Sequence, residues 1–440
     1  KINQQNLTDT IGFTDRISYP QNLTESVSFD DEVSTLSISF PDDWNKKVIS
    51  TNSTMVSGSS DLLNFPVLVT LTGDSDLSTS KVGSSGQGIR FTSDGTTLLD
   101  YEIEKYTGDA NSGTLVAWVK VPTLDHDDTT YIYIHYGQTI AQSDADATAN
   151  NVWAESGESQ EYVVVNHFMS ALDTDNDTEE LIGSIAGEGD DFNTINMDNA
   201  TNQVTGKIGK ALDMNEDSTN ERVCLEDTGN RNCWGSGPIF DTAVAERTSS
   251  LWYKADEVDT QQVLFEEGSE SKGQVIYLFD NKIFACTSQL TSKCVSHQTT
   301  ADEWHHVALA WASGTTSYLY HDGVQVAKFT GRENSGDHPN ASALGNIAGD
   351  TNMTLAGGLA NRASYTDDKY SFDGIIDEFR VTNTELTSAE IQTMYNSESN
   401  DDFIKVGVVL SESISFTDSI STASGVNLTE SVSLTDEISK

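Results

Sequence analysis

Short runs in which apolar and polar residues alternate make up most of this sequence. Clear examples lie at residues 65–71, 114–121 and 130–136, and clusters of Gly, Asn, Asp and Ser separate such runs. A period of two places successive side chains on opposite faces of a strand, so each run predicts a strand with one apolar face. Many short strands separated by turns are typical of sandwiches. The sequence therefore predicts an all-β fold of antiparallel β-sandwiches.

One segment near the C-terminus has a helical pattern instead. Thr387 and Glu390 have the spacing of a capping box, and Ile391, Met394 and Tyr395 follow on one helical face. We therefore expect one helix here, directly after the last strands of the central region.

The charge balance excludes two classes of partner. The 440 residues include 24 basic and 69 acidic side chains, which gives a formal net charge of -45. Binding to nucleic acid or to anionic lipid depends on Lys and Arg that neutralise negative charge, so we expect neither partner. No run of about 18 apolar residues occurs, so no membrane insertion is expected for this chain. The length suggests several domains, at roughly 100–200 residues each.

Four copies of one short motif flank the central region. They cover residues 6–18, 22–34, 409–421 and 427–439, and each reads as a short strand with one apolar face. Two copies at each end are too few for a stable repeat array, which generally needs about three units. Either the array continues in a longer precursor, or these strands pair with another molecule.

We expect these repeat arms to mediate self-association. Strand addition would join the N-terminal copies of one chain to the C-terminal copies of another, and such a head-to-tail contact builds a filament or surface lattice. The alternative is that the arms are spacers in a continuous stalk. The apolar residues expected in the contact are Leu7, Ile11, Phe13, Val27, Phe29, Ile414, Phe416, Val432 and Leu434.

Cysteines and glycosylation motifs suggest an exported chain. Cys224 and Cys233 form one close pair and Cys286 and Cys294 another, so we expect two local disulfides, with four buried free thiols as the alternative. The chain begins at Lys1, which indicates a mature or trimmed product. We expect an extracellular or cell-surface location. The candidate glycosylation sites are Asn6, Asn22, Asn52, Asn176, Asn199, Asn340, Asn352 and Asn427.

Two stretches of the central region resemble known families. Residues 44–153 contain the motifs WNKK, NFPVLV, GIRFTSDG, YEIE, AWVKVP and YIHYG in order. This stretch resembles an uncharacterised β-sandwich family of prokaryotic surface proteins that usually precedes a laminin-G-like domain. That resemblance implies location and domain order rather than a chemical activity.

Residues 165–396 resemble the laminin-G-like, concanavalin A-like jelly roll. The motifs are GKIGKALD at residues 206–213, SLWYK at 250–254, EWHHVAL at 303–309, YLYHDGV at 318–324 and FDGIIDEFRV at 372–381. The predicted domains are therefore an N-terminal arm at 1–40, a first sandwich at 41–157, a jelly roll at 158–398 and a C-terminal arm at 399–440.

The jelly-roll resemblance implies a structural calcium ion. In such domains the Asp of the IDEFR motif often holds calcium together with backbone oxygens of the first strand. That position is Asp377 here, and the complement is the backbone of residues 167–169, beginning with His167. Carboxylate oxygens are the ligands that calcium prefers. A buried Asp377 that accepts only backbone amides is the alternative.

The sequence lacks a convincing catalytic pattern. Glucanases of this fold place two carboxylates on one face of a strand, whereas Glu266 and Glu267 are adjacent and point to opposite faces. His305 and His306 are also adjacent on a strand, so we expect them to be structural. We expect no enzyme. The predicted function is an extracellular structural protein that assembles through its arms, and the alternative is a glycan-binding adhesin that uses the laminin-G-like domain.

Overall fold

The structure is a computed structural model that divides into two compact units. One unit consists of Lys1–Thr35 and Leu410–Lys440, and the other of Leu36–Val409. The strand pairs are antiparallel in both units, and the predicted all-β class is confirmed. None of the helices in the described residues is long and apolar enough to cross a bilayer. The structure describes residues 10–14, 24–28, 44–137, 149–153, 162–169, 180–181, 192–195, 197, 201–214, 221–225, 244–269, 272–289, 291–312, 316–330, 342–346, 370–408, 415–419 and 429–433.

The first sandwich packs a four-stranded sheet with a three-stranded sheet. Phe65, Trp118 and Ile134 are fully or almost fully buried in its core, as the alternation at residues 65–71, 114–121 and 130–136 predicts. Short helical turns connect the strands. The four-stranded sheet contains, in spatial order, β25 (Ile404–Val408), β3 (Asn45–Thr51), β8 (Tyr131–Tyr136) and β5 (Ile89–Thr92). The three-stranded sheet contains β4 (Leu62–Asp74), β7 (Gly113–Leu124) and β6 (Tyr101–Gly108). The helical elements are the 3-10 turns Ser53–Met55 and Ser75–Leu77 and the helices α1 (Thr79–Val82) and α2 (Ala149–Trp153).

The second sandwich is the larger one and packs two sheets of eight strands each. Phe265 from one sheet and Phe379 from the other meet in its core, with ring centroids 5.0 Å apart. One sheet contains, in order, β10 (Glu180–Leu181), β11 (Phe192–Ile195), β14 (Arg222–Cys224), β23 (Ser342–Leu344), β16 (Gln262–Ser269), β17 (Lys272–Phe279), β18 (Lys282–Gln289) and β19 (Thr291–Gln298). The other contains, in order, β12 (Gln203–Thr205), β13 (Lys210–Met214), β24 (Gly374–Thr382), β15 (Glu246–Ala255), β20 (His305–Ala312), β21 (Thr316–His321) and β22 (Val324–Thr330). Its eighth strand, β9 (Tyr162–Asn166), also pairs with β24.

The predicted helix is present as α3 (Ser388–Ser399) and contacts both sandwiches. Thr387 caps it, and the capping box with Glu390 is formed. Ile391 and Met394 are buried in the core of the first sandwich. On the other side, Tyr395 stacks on the ring of Trp252 of the second sandwich, with centroids 5.5 Å apart. The helix thus joins the two sandwiches into one unit.

In its described residues, the terminal unit contains four short strands, one from each repeat. They are β1 (Thr10–Thr14), β2 (Thr24–Ser28), β26 (Ser415–Ser419) and β27 (Thr429–Ser433); β1 pairs with β27, and β2 pairs with β26. Ile11 lies opposite Val432, Val27 lies opposite Phe416, and Phe13 lies opposite Glu430. The remaining residues expected in the contact, Leu7, Phe29, Ile414 and Leu434, lie outside the described residues.

The N-terminal repeats therefore pair with the C-terminal repeats within one chain, whereas the sequence pattern predicts this contact between two chains. The reason lies in the first sandwich, where β25 pairs with β3 and Val408 lies opposite Lys47. Both arms leave from neighbouring strand ends, which gives them a high effective concentration for each other. Strand β25, which the sequence pattern places in the C-terminal arm at 399–440, belongs to a sheet of the first sandwich.

One predicted disulfide lies within the described residues. Cys286 and Cys294 face each other across β18 and β19 and are bonded, with their Cα atoms 4.1 Å apart. Cys224 is also disulfide-bonded, and Cys233, its expected partner, lies outside the described residues. Of the candidate glycosylation sites only Asn52 is described, and its side chain accepts hydrogen bonds from Thr54. The others, Asn6, Asn22, Asn176, Asn199, Asn340, Asn352 and Asn427, lie outside.

Candidate functional site

A group of charged side chains lies where the two sandwiches meet. Strand alternation places residues two apart on one face, and β-bulges in β6 and β24 turn the side chains toward each other. All are buried except the half-buried Glu102. We call this group the junction cluster; its members are Glu102 and Glu104 of β6, His167 after β9, Glu378 and Arg380 of β24, and Glu398 of α3.

Arg380 lies at the centre of the junction cluster. Its guanidinium group donates to Glu378 and to Glu398, at 2.5 Å in each case. The same group lies over the rings of Trp118 and Trp153, at 4.5 Å and 5.0 Å from their centroids. A planar cation between two carboxylates and two aromatic faces is compensated without water. Arg380 therefore ties strand β24 to both sandwiches.

His167 provides the second positive group. Its Nδ1 atom lies 2.8 Å and 2.9 Å from the two carboxylate oxygens of Glu378, and its ring stacks on Trp118 with an angle of 15° between the planes. Burial alone would lower the pKa of His167, but the negative charges of Glu378, Glu102 and Glu104 raise it well above its usual value. The imidazolium form is therefore the stable one.

Three tryptophans donate their indole N–H groups to the carboxylates. Trp118 donates to Glu104 at 2.9 Å, Trp153 to Glu102 at 2.7 Å and Trp252 to Glu398 at 2.5 Å. Each bond satisfies a buried indole donor and one carboxylate oxygen at once.

Two buried carboxyl groups have raised pKa values. Burial, and then the negative charge of Glu378, raise the pKa of Glu104 to about 8. The same two causes raise the pKa of Asp377 well above its usual value. Glu378 differs, because His167 and Arg380 outweigh the effect of burial and lower its pKa. At neutral pH, Glu104 and Asp377 need either a proton or a cation.

Asp377 is completely buried beside the loop that follows β12. Its Oδ2 atom accepts a hydrogen bond from the Ile208 amide at 2.9 Å, and its Oδ1 atom accepts one from the Glu378 amide at 2.8 Å. These two hydrogen bonds from backbone amides are those expected if Asp377 is buried without calcium. Each carboxylate oxygen still has a second lone pair, so these bonds and a metal ion are compatible.

The donor set around Asp377 fits a hard cation. Glu104 Oε1 is buried and has no hydrogen-bond partner. A Cβ atom at Gly209 would lie 1.8 Å from Glu104 Oε1, and one at Gly206 would lie 2.4 Å from Asp377 Oδ2. The loop of residues 206–209 thus closes tightly on both carboxylates. Oxygen atoms of this kind are the ligands that calcium prefers, and calcium at Asp377 stays a prediction.

Glu104 is one of five junction residues that the sequence pattern did not single out. It lies in the YEIE motif of the first sandwich, far along the chain from Asp377. Its charged neighbours His167 and Glu378 belong to the other sandwich, so no local signal distinguishes Glu104 from a solvated strand residue. His167, expected to offer only its backbone, contributes its side chain to the cluster.

The acidic pair considered for catalysis is inaccessible. Glu266 and Glu267 are both buried, at 1% and 0% exposure. Glu267 forms an ion pair with the fully buried Arg247 and accepts a hydrogen bond from Gln274 at 2.6 Å. These two carboxylates therefore belong to the polar interior of the jelly roll and cannot contact a sugar.

Two family models match parts of the chain, in the order that the motifs predict. Residues 85–176 match a domain of unknown function, DUF2341, and residues 237–392 match the concanavalin A-like lectin/glucanases superfamily. Each match covers less than half of the chain. Both resemblances inferred from the motifs are thereby confirmed.

Comparison with solved structures finds distant similarities. The binding domain of botulinum neurotoxin serotype D is 10% identical, with a TM-score of 0.37 over 54% of this chain and 51% of the toxin domain. A SAP-like pentraxin from Limulus polyphemus is 16% identical, with a TM-score of 0.27 over 38% of this chain and 84% of the pentraxin. This chain thus spans about half the length of the toxin domain. No curated protein sequence matches it.

Proposed function

We propose that this chain is an extracellular glycan-binding protein whose second sandwich holds the carbohydrate. The observation that carries the proposal is the match of residues 237–392 to the concanavalin A-like lectin/glucanases superfamily. That superfamily contains both binding proteins and hydrolases. The burial of Glu266 and Glu267 favours binding over hydrolysis, because the nearest candidate for a catalytic pair cannot reach a substrate.

The disulfide of the second sandwich supports the external location, and the net charge bears on solubility. A disulfide such as Cys286–Cys294 persists in oxidising compartments. The net charge of -45 keeps a chain soluble and repels anionic surfaces. In this proposal the paired repeats of the terminal unit act as a spacer that carries the two sandwiches.

Calcium at Asp377, beside the junction cluster, is part of the same proposal. Asp377 and Glu104 would hold the ion in place of the protons that their raised pKa values otherwise favour. When bound, calcium supplies two positive charges to the carboxylates that Arg380 and His167 leave uncompensated. The role is structural, because Asp377 and Glu104 are almost or completely buried and lie away from solvent.

A glycan array probed with the labelled full chain tests the proposal. We expect saturable binding to a subset of glycans, competition by the free form of the same glycan, and recovery of that glycan unchanged after incubation. Cleaved glycan would instead show a hydrolase. Absence of binding to every glycan, together with filaments of the same preparation in electron micrographs, would favour the structural function that the repeats suggest.

A further inference from the structure

Three side chains converge at one end of the second sandwich, outside the junction cluster. His305 begins β20, His321 ends β21, and Asp322 follows in the turn to β22. We propose that these residues, the rim triad, form a binding site for zinc or a similar divalent transition-metal ion. Neither the glycan-binding proposal nor the junction cluster depends on it.

The ligand atoms already have nearly the required spacing. His305 Nδ1 lies 2.9 Å and His321 Nδ1 lies 3.5 Å from the same oxygen, Asp322 Oδ2. All three atoms lie within 4.8 Å of one another. Ligand atoms around tetrahedral zinc are roughly 3.3 Å apart, given metal–ligand bonds of about 2.0–2.1 Å. Small side-chain rotations therefore suffice to place a metal ion among them.

The hairpin turn fixes the carboxylate of Asp322. Asp322 and Gly323 both have positive φ angles, 51° and 76°, which is the conformation that a two-residue turn between strands requires. The Asp322 amide donates to the His306 carbonyl at 2.8 Å, and Asp322 Oδ1 accepts from the His306 amide at 2.9 Å. Because Oδ1 is held by the backbone, Oδ2 is presented to the two histidines.

Hydroxyl groups orient the histidine rings from behind. His305 Nε2 lies 2.8 Å from Thr300 Oγ1, and His321 Nε2 lies 3.0 Å from the Tyr253 hydroxyl and 3.3 Å from Thr299 Oγ1. If each Nε2 carries the proton and donates to these hydroxyls, each Nδ1 turns a lone pair toward Asp322. Such outer hydrogen bonds are the usual way in which proteins fix the tautomer of a ligating histidine.

The rim triad is open to solvent on one side. The side chain of Asp322 is 30% exposed, whereas those of His305 and His321 are 11% and 7% exposed. Three protein ligands and one open position form a common zinc arrangement. His297 of β19 is exposed and its ring centroid lies 5.5 Å from that of His321, so it is near enough to supply a fourth ligand. Two imidazole nitrogens and one carboxylate suit zinc better than calcium.

Titration of the chelator-treated full chain with zinc, in buffer that contains calcium, tests this site. We expect one zinc ion per chain, and replacement by cobalt should give the visible absorption bands of a tetrahedral nitrogen and oxygen site. His305→Gln and His321→Gln should each weaken zinc binding by at least about tenfold. Thermal unfolding in chelator shows whether each variant is folded. If one of the two histidine variants does not fold, Asp322→Asn takes its place, because asparagine also tolerates the positive φ angle of the turn.

His126→Gln is the matched control. His126 lies in an exposed group with Asp61 and Asp125 that also offers three ligand atoms, but in the first sandwich. Zinc affinity should be unchanged in this variant. The proposal is wrong if the chain shows no saturable zinc binding, if the His305 and His321 variants bind zinc as the parent does, or if the loss occurs in His126→Gln instead.

Discussion

The junction cluster and the rim triad place carboxylates beside histidines in opposite environments. At the junction, Trp118, Trp153 and Trp252 cover the charges, and Glu378 and Arg380 are at most 2% exposed. At the rim, Asp322 reaches solvent, and its histidine neighbours bond to neutral hydroxyls. Buried charges are stable only as a complete, mutually compensated set. Substitutions at the junction should therefore change folding, and substitutions at the rim should change ligand binding.

The largest effect is expected from Arg380→Met. This change keeps the length of the side chain, but it leaves Glu398 buried without a cation and Glu378 with His167 alone. We therefore expect a loss of about 3–5 kcal/mol in the free energy of unfolding. Urea unfolding measures it. Lys405→Met, on the exposed face of β25, is the matched control and should change stability by less than about 0.5 kcal/mol. A loss below about 1 kcal/mol for Arg380→Met would show that the junction does not depend on its charges.

Calcium removal should have the next largest effect. If the ion is held by Asp377 and Glu104, calcium at about 100 times its dissociation constant adds about 2.7 kcal/mol to the free energy of unfolding. Chelation should therefore lower the melting temperature of the parent chain. Glu104→Gln should melt at one temperature with or without calcium. If the parent melt is unchanged by chelation and Glu104→Gln is as stable as the parent, Glu104 is protonated and no ion is bound.

The pKa of His135 is set mainly by burial, whereas neighbouring carboxylates set that of His167. It is buried in the first sandwich, its Nε2 contacts Thr92 Oγ1 at 2.9 Å, and burial followed by the charge of Lys46 lowers its pKa to about 4. The unfolded chain binds this proton at a higher pH, near about 6.5, so stability is full above that pH and falls as the pH drops toward 4. We expect a loss of about 2 kcal/mol over this range.

His135→Gln is the comparison for that pH dependence. The glutamine keeps a polar contact with Thr92 but does not titrate, so the difference in unfolding free energy between parent and variant should shrink as the pH falls from 7 to 4. Urea unfolding at several pH values measures this difference. A constant difference would mean that His135 is protonated equally in both states.

The smallest effect on stability is expected at the rim. In chelator, His305→Gln should change the free energy of unfolding by less than about 1 kcal/mol, because it removes contacts that are partly exposed. The same variant should lose zinc binding. A loss above about 3 kcal/mol would place His305 with the structural charges of the junction rather than with an accessible site.

Local features of this fold were predictable from sequence, and contacts between distant segments were not. The capping box at Thr387 and the alternating strands depend on neighbouring residues, and both are present. The junction joins Glu104 to Glu378 across two sandwiches, so its burial has no local signature. The spacing of His305 and His321 gives no ligand pattern. The two residues are 16 positions apart in the sequence and come together only because β20 pairs with β21.

The repeats illustrate the same limit. Their similarity predicts that N-terminal and C-terminal copies pair, and the pairs β1 with β27 and β2 with β26 have that form. Whether the partner is the same chain depends on where the arms begin. That is decided by the pairing of β3 with β25, which the sequence pattern assigned to different domains.

Hydrogen exchange of the full chain, with and without a glycan selected by the array, tests the central proposal most directly. If the concanavalin A-like sandwich binds the carbohydrate, the added protection falls within residues 237–392, while residues 44–137 of the first sandwich exchange as before. Protection confined to the first sandwich, or no protection at a glycan concentration that saturates the array signal, would contradict the account.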